Sequence, residues 1–210
     1  MKAPLSWLKD YVDLSDKSLE EIGKTLTMIG LEVEDIQLVG LEKPSCERLE
    51  NKYSGLSWDK EKFVVAEVLE VNRHPNADKL TLCELNDGTG QKTVLTGAPN
   101  LYPFIGKGKL EPSIKVAYVK EGGQLYDGHQ PGQVLTKIKK ATIRGVESSS
   151  MIVSEKELGI SEEHEGVIFL DDDAPVGMPL ADYMGDAVFE VAILPNMARD
   201  ASILGIAREL

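Results

Sequence analysis

The chain has 210 residues, 42% hydrophobic and 28% charged, with 35 acidic against 23 basic side chains and a formal net charge of −12. That is an ordinary globular composition with room for one good core or two modest ones, and no apolar run is long enough to span a bilayer. The acid excess weighs against bulk non-specific nucleic-acid affinity, which rests on phosphate neutralisation, but leaves open a local basic strip on an acidic body.

The N-terminus carries no signal-peptide pattern. Two cysteines, Cys46 and Cys83, with no CxxC pair, argue against a disulfide framework and a structural zinc site and fit a reducing cytoplasm. Residues 4 to 12 predict a short helix, with Ser6 as N-cap and Trp7, Leu8, Tyr11 and Val12 on one face. A second helix is predicted at about 18 to 29: Ser18 and Glu21 have capping-box spacing, Leu19, Ile22, Leu26 and Ile29 form the apolar stripe, and Gly30 is a natural terminator. Alternation over 31 to 39 predicts a strand. Residues 41 to 61 are mixed and polar and read as a connector.

From Phe63 to about Val153 the texture changes to short β-runs between turn residues. Two strand-like runs, 63 to 71 and 80 to 85, are joined by His74-Pro75-Asn76-Ala77-Asp78-Lys79-Leu80, a stiff polar corner. Pro75 fixes its own φ and biases His74 to extended backbone, and Asn76 and Asp78 can bond their own backbone. Asn86-Asp87-Gly88-Thr89-Gly90 is a strong turn signal. Further runs follow at 91 to 96, 113 to 119 and, after a Gly-rich excursion at 121 to 133, 134 to 143. About five strands with Gly-rich corners suggest a small closed or partly open barrel such as an OB-fold. Beyond it, a short turn or helix (154 to 159), a strand (165 to 170), a short helix (178 to 184), a strand (188 to 193) and an amphipathic C-terminal helix from Ala198 complete an α+β texture. That last helix still runs at Leu210, which suggests a piece of a longer polypeptide. The fold class expected is α+β: an OB-fold barrel (41–153, with insertions at about 41–61 and 121–133) inserted in a small discontinuous α+β domain (1–40 plus 154–210).

His74, His129 and His164 are scattered over three loops, and no HExxH or Cys–His cluster appears, so no metal site is predicted. The run Asp171-Asp172-Asp173 lacks the spacing of a calcium loop and reads as a solvated turn. Ser148-Ser149-Ser150 has no GxSxG elbow. The segment 137–144, Lys-Ile-Lys-Lys-Ala-Thr-Ile-Arg, reads as a basic strand leaving the barrel, with Lys137, Lys139 and Arg144 toward solvent. Two readings stand: a ligand-facing rim that tracks an oligonucleotide backbone, or an edge strand protected from aggregation by lysines. Few aromatics lie nearby, which favours backbone and shape contacts over base stacking.

His74 to Leu80, Gly97-Ala98-Pro99-Asn100, and Arg144-Gly145-Val146-Glu147-Ser148 with Met151 and Ser154-Glu155 resemble the tRNA-binding OB domain. The flanks Ser6-Trp7-Leu8, Leu26 to Glu34, Glu155 to Gly159, Ala174 to Gly177, Pro195-Asn196 and Gly205 to Leu210 resemble, in order, the opening of the bacterial phenylalanyl-tRNA synthetase β-subunit family. The resemblance implies an α2β2 enzyme of the cytoplasm that attaches phenylalanine to tRNA(Phe) with ATP and Mg2+. Its aminoacylation centre lies in the α subunit and its editing site beyond residue 210. It therefore implies no catalytic residue and no cofactor for this piece. Family contacts map onto Arg144, Ser148 and Met151, and Lys79, Asn100, Lys137 and Lys139 complete the expected tRNA-binding set. The alternatives are a structural or assembly module with little tRNA contact, or a stand-alone tRNA-binding protein. Ser150 departs from the usual Gly before Met, the Pro195–Asp200 segment has extra spacing, and both excursions look long.

Overall fold

A computed structural model describes residues 1–45 and 49–210, so Cys46 lies outside the described residues. In chain order the elements are β1 (Lys2–Pro4), α1 (Leu5–Lys9), α2 (Leu19–Met28), β2 (Val33–Gly40), β3 (Tyr53–Ser57), β4 (Phe63–Arg73), β5 (Thr81–Asn86), β6 (Gln91–Thr96), β7 (Ile114–Val119), β8 (Gln124–Tyr126), β9 (Leu135–Lys137), β10 (Ala141–Ile143), β11 (Val146–Ser148), β12 (Met151–Ile152), α3 (Glu155–Leu158), α4 (Leu180–Met184), β13 (Asp186–Val191) and α5 (Ile203–Glu209), with 3-10 turns at Pro99–Phe104 and Pro195–Asp200. The chain divides into two compact units, Met1–Ser57 with Gly185–Leu210, and Trp58–Met184.

The first unit is a four-stranded sheet in the order β1-β13-β2-β3. Ala3, Phe189 and Ile36 stand in one row across three antiparallel strands, and all three are fully buried. Alternation with period two puts such residues on a common face. Over that face lie Ile22 and Leu26 of α2, Leu8 of α1 and Ile206 and Ala207 of α5, each large side chain contributing about 1.5–3 kcal/mol by burial. The 3.6-residue period of α2 brings Ile22 and Leu26 onto one stripe. Its start is set by a complete capping box, Ser18 accepting from the Glu21 N–H and Glu21 accepting from the Ser18 N–H, worth about 1 kcal/mol.

The second unit is built on a five-stranded antiparallel sheet, β12-β7-β4-β5-β6. Its long central strand β4 pairs with β7 through Phe63–Val68 and with β5 through Glu67–Arg73, with a register shift between Val68 and Glu70. An extra residue at such a point bends a strand and sharpens its twist. The outer strands β12 and β6 come alongside each other, so the sheet is nearly closed into a barrel. Val68, Val71, Cys83, Leu85, Val94, Val116 and Tyr118 fill its interior, with Leu101 from the 3-10 turn after β6.

Several expectations are corrected. Residues 41–61 are more than a connector: β3 lies parallel to β2. Residues 154–184 fall with the barrel unit rather than with the flanking sheet. Gly177 N–H donates to the Val65 carbonyl (2.8 Å), Val65 N–H to Met178 (2.9 Å), and Leu170 N–H to Lys115 (2.9 Å), while the Trp58 indole donates to the Leu158 carbonyl (3.2 Å). The structural boundaries are therefore 57/58 and 184/185 rather than 40/41 and 153/154. Residues 165–170 form only a single bridge, Phe169 beside Val116. On α1, Pro4 takes the cap position and the Ser6 hydroxyl instead donates to Asp186 (2.6 Å). Trp7 and Tyr11 are 59% and 60% exposed, because the buried stripe runs through Leu5, Leu8 and Val12.

Candidate nucleic-acid interface

Two connections of the barrel carry most of the predicted site residues. The first is the corner between β4 and β5. His74 N–H donates to the Leu80 carbonyl (3.2 Å), and Asn76 N–H donates to His74 Nδ1 (3.0 Å). The imidazole is buried at 5% exposure and works as a backbone clamp, as the stiff-corner reading expects. Tyr102, from the 3-10 turn, donates its hydroxyl to the carbonyls of Lys79 (3.0 Å) and Gly97 (3.3 Å). The Lys79 backbone is thereby pinned while its side chain is exposed.

The second connection, between β7 and β12, is the arm. It is not the single strand expected over 134–143. β9 pairs with β8, and β10 pairs with β11, as two separate ribbons outside the barrel sheet. Every residue of β9 and β10 is exposed. Ile143 pairs with Val146, so Arg144-Gly145 is a two-residue turn, and both have positive φ (52° and 90°). A two-residue turn with positive φ at both positions matches the twist of a hairpin but favours Asn or Gly. An arginine held there costs about 1 kcal/mol or more, so the turn sets its guanidinium on a hairpin tip at some expense in stability. Residues 133–150 carry four cations, Lys137, Lys139, Lys140 and Arg144, against one carboxylate, Glu147. Lys140 pairs with Glu147 at 2.6 Å, which also raises the lysine's pKa through that hydrogen bond. Lys140 is thus a member of the basic strip that the predicted residue set omits, although it stands beside Lys139.

Ser148 and Met151 lie at the root of the arm. The Ser148 hydroxyl donates to the Ser150 carbonyl (3.1 Å), and Met151 pairs with Val119. Among the described residues Arg144 is the non-glycine residue with positive φ, so Ser150 replaces the expected Gly without strained backbone. Asn100 is turned to internal use. Its amide donates to the Val167 carbonyl (2.8 Å) and accepts from the Val167 N–H (3.2 Å). These two bonds make the side chain a clamp between the 3-10 turn and residue 167.

Three lysines of the barrel body are neutralised locally. Lys115 is 2.7 Å from Glu67, and Lys92 and Lys120 are 2.8 and 3.7 Å from Asp87. Burial pushes the Asp87 carboxyl up, but hydrogen bonds from Lys92 and from the Thr89 hydroxyl and N–H outweigh it and hold it at about 2. Burial raises the Tyr118 pKa against a hydrogen bond with Ser150 and the charge of Lys92, which lower it. Among the described residues no group of three or more His, Cys, Asp or Glu is arranged to hold a metal ion. No helix among the described residues is long and apolar enough to cross a membrane.

A nearly closed barrel with a basic, exposed arm belongs to the tRNA-binding class of domain, and residues 63–111 match the family described as "Putative tRNA binding domain". Among solved structures the chain is similar to a MetRS related protein from Pyrococcus horikoshii (21% identity, TM-score 0.37, covering 56% of this chain and 86% of that one). It is also similar to the C-terminal domain of Plasmodium vivax p43 (21% identity, TM-score 0.34, covering 56% and 58%). The wider likeness is to phenylalanine–tRNA ligase beta subunits. The chain is 39% identical over 210 residues to that of Dehalococcoides mccartyi, covering all of this chain and 22% of the relative. It is 41% identical over 207 residues to that of Geobacter metallireducens, covering 98% and 22%. The chain belongs to the phenylalanine–tRNA ligase beta subunit family, and spans 22% of the length of these relatives.

Proposed function

We propose that this chain is the tRNA-binding part of a phenylalanine–tRNA ligase beta subunit. On this reading the barrel is an OB-fold inserted in a discontinuous α+β unit, and the arm tracks a tRNA backbone. Lys137, Lys139 and Arg144 meet phosphates, Lys79 approaches from the corner between β4 and β5, and Ser148 and Met151 support the arm's root. The chain supplies no catalytic group. The whole enzyme, acting in the cytoplasm, joins phenylalanine to tRNA(Phe) with ATP and Mg2+ and pairs this subunit with an alpha subunit in an α2β2 assembly.

The observation that carries the reading is the arm: four exposed cations against one carboxylate, on and beside the exposed strands β9 and β10 of a chain with net charge −12. Shape and backbone contacts of this kind suit RNA. The test is a titration of tRNA(Phe) at low salt with the parent chain and with K137E/K139E/R144E. The parent binds and the variant loses most of that affinity. Absence of binding by the parent, or equal binding by the two, removes the function from this chain. A second reading, an assembly module, is favoured by the exposed Trp7 and Tyr11. It expects Trp7→Ala to impair association with the alpha subunit while leaving tRNA binding intact.

A further inference from the structure

A second feature lies on other connections of the barrel. Phe104 ends the 3-10 turn after β6, and Phe169 lies beside Val116 of β7. Their rings meet edge to face, 6.4 Å between centroids at 77°. Phe169 is nonetheless 44% exposed, and it borders an open cleft of about 520 Å3 floored by Leu110 and Ile114. That is the size range of small-ligand sites, which combine an apolar lining with a few placed polar groups. Lys107 holds its ammonium 5.3 Å from the Phe104 centroid. Lys107 and Lys109 alternate with Gly106 and Gly108, both at φ 72°, with open space where a side chain would begin. Lys115, also in the lining, is already matched by Glu67 at 2.7 Å. Glu111 stands 3.9 Å from Lys109, a loose pair between two exposed side chains. Asp172 adds a carboxylate at the rim.

A half-exposed aromatic face, two exposed lysines and a carboxylate acceptor at the rim are the complement of a nucleotide's flat base, phosphate and exocyclic amine. We propose that this cleft binds an unpaired nucleotide. The base stacks on Phe169, the phosphate meets Lys107 and Lys109, and Asp172 accepts from the exocyclic amino group of adenine, guanine or cytosine. Stacking on an aromatic side chain is tolerant of sequence and suits an unpaired position. The site uses none of the arm residues, so it stands or falls apart from the arm.

The probe is a single-stranded RNA hexamer carrying one 2-aminopurine, with 2-aminopurine riboside 5′-monophosphate as a second arm, each titrated with the full chain. Saturable quenching by the hexamer is expected, weakened roughly fivefold or more in Phe169→Ala, since that is the scale of losing one stacked base. K107E/K109E, which alters only exposed side chains, is expected to weaken it as well. Quenching of the monophosphate alone assigns the cleft to free nucleotides, and quenching of the hexamer alone assigns it to a base within a chain; both support the site. K137E/K139E/R144E is expected to lose tRNA(Phe) but keep the quenching, which separates this site from the arm. No saturable change up to millimolar probe, or parent-like binding by both cleft variants, overturns the proposal.

Discussion

Replacing Asp87 with Asn removes the charge on which the turn between β5 and β6 is organised. The Asp87 side chain is 0% exposed and accepts from Thr89 N–H (3.0 Å), the Thr89 hydroxyl (2.6 Å) and Lys92 (2.8 Å). Its pKa is about 2 against an ordinary 3.8. A shift of that size corresponds to about 2 kcal/mol of stability at neutral pH. The raised pKa of Lys92 is the same contact seen from the other partner and is not added. Because the folded-state pKa is depressed, the stabilisation is fully present above the unfolded value near 3.8 and is lost as pH falls toward 2. In urea melts at pH 7 the Asn variant is expected to be less stable by about 2 kcal/mol. The gap between variant and parent is expected to narrow by about 1 kcal/mol at pH 3. Taking the difference cancels the titration of the other carboxylates. A gap under about 0.5 kcal/mol at pH 7, or one that does not change with pH, refutes the argument.

Two further substitutions test the architecture. Gly55 has φ 96°, and a Cβ there would lie 2.0 Å from the Leu38 carbonyl oxygen. Gly55→Ala is therefore expected to cost at least about 3 kcal/mol and to free the amides of β3, as read by hydrogen exchange. Asn100→Ala removes both hydrogen bonds to Val167 and is expected to cost about 1–3 kcal/mol. Faster exchange at the Val167 amide, with tRNA affinity unchanged, distinguishes a clamp from a contact residue.

Much of this architecture is legible in the chain because local and global signals agree. The stripe and capping box of α2 specify that helix, and alternation with Asn86-Asp87-Gly88 specifies the β5–β6 hairpin. β3 is hidden because Tyr53-Ser54-Gly55-Leu56-Ser57 buries only Leu56 and is held by parallel backbone pairing to β2, which no local pattern encodes. The break between β9 and β10 has no turn residue at Ile138-Lys139-Lys140. It follows from pairing partners, Gln124 opposite Lys137 and Ala141 opposite Ser148. Lysines in sequence identify the arm, but which lysines of the barrel are neutralised depends on Glu67 and Asp87 meeting them in space. Asn100 shows the same limit: its partner Val167 is 67 residues away, so its motif position alone cannot separate a clamp from a ligand contact. Arg144 is read correctly as exposed, whereas its place on a strained hairpin tip needs the register of β10 with β11.

The claim that the arm meets tRNA phosphates is tested most directly by the salt dependence of binding. Affinity for tRNA(Phe) is measured from 50 to 200 mM salt for the parent and for K137Q/K139Q/R144Q, which removes three cations without introducing new charge. If all three meet phosphates, the slope of log K against log salt becomes shallower by about 2 to 3. A parallel slope, with affinity lowered or unchanged, contradicts the account and moves the tRNA contacts off the arm.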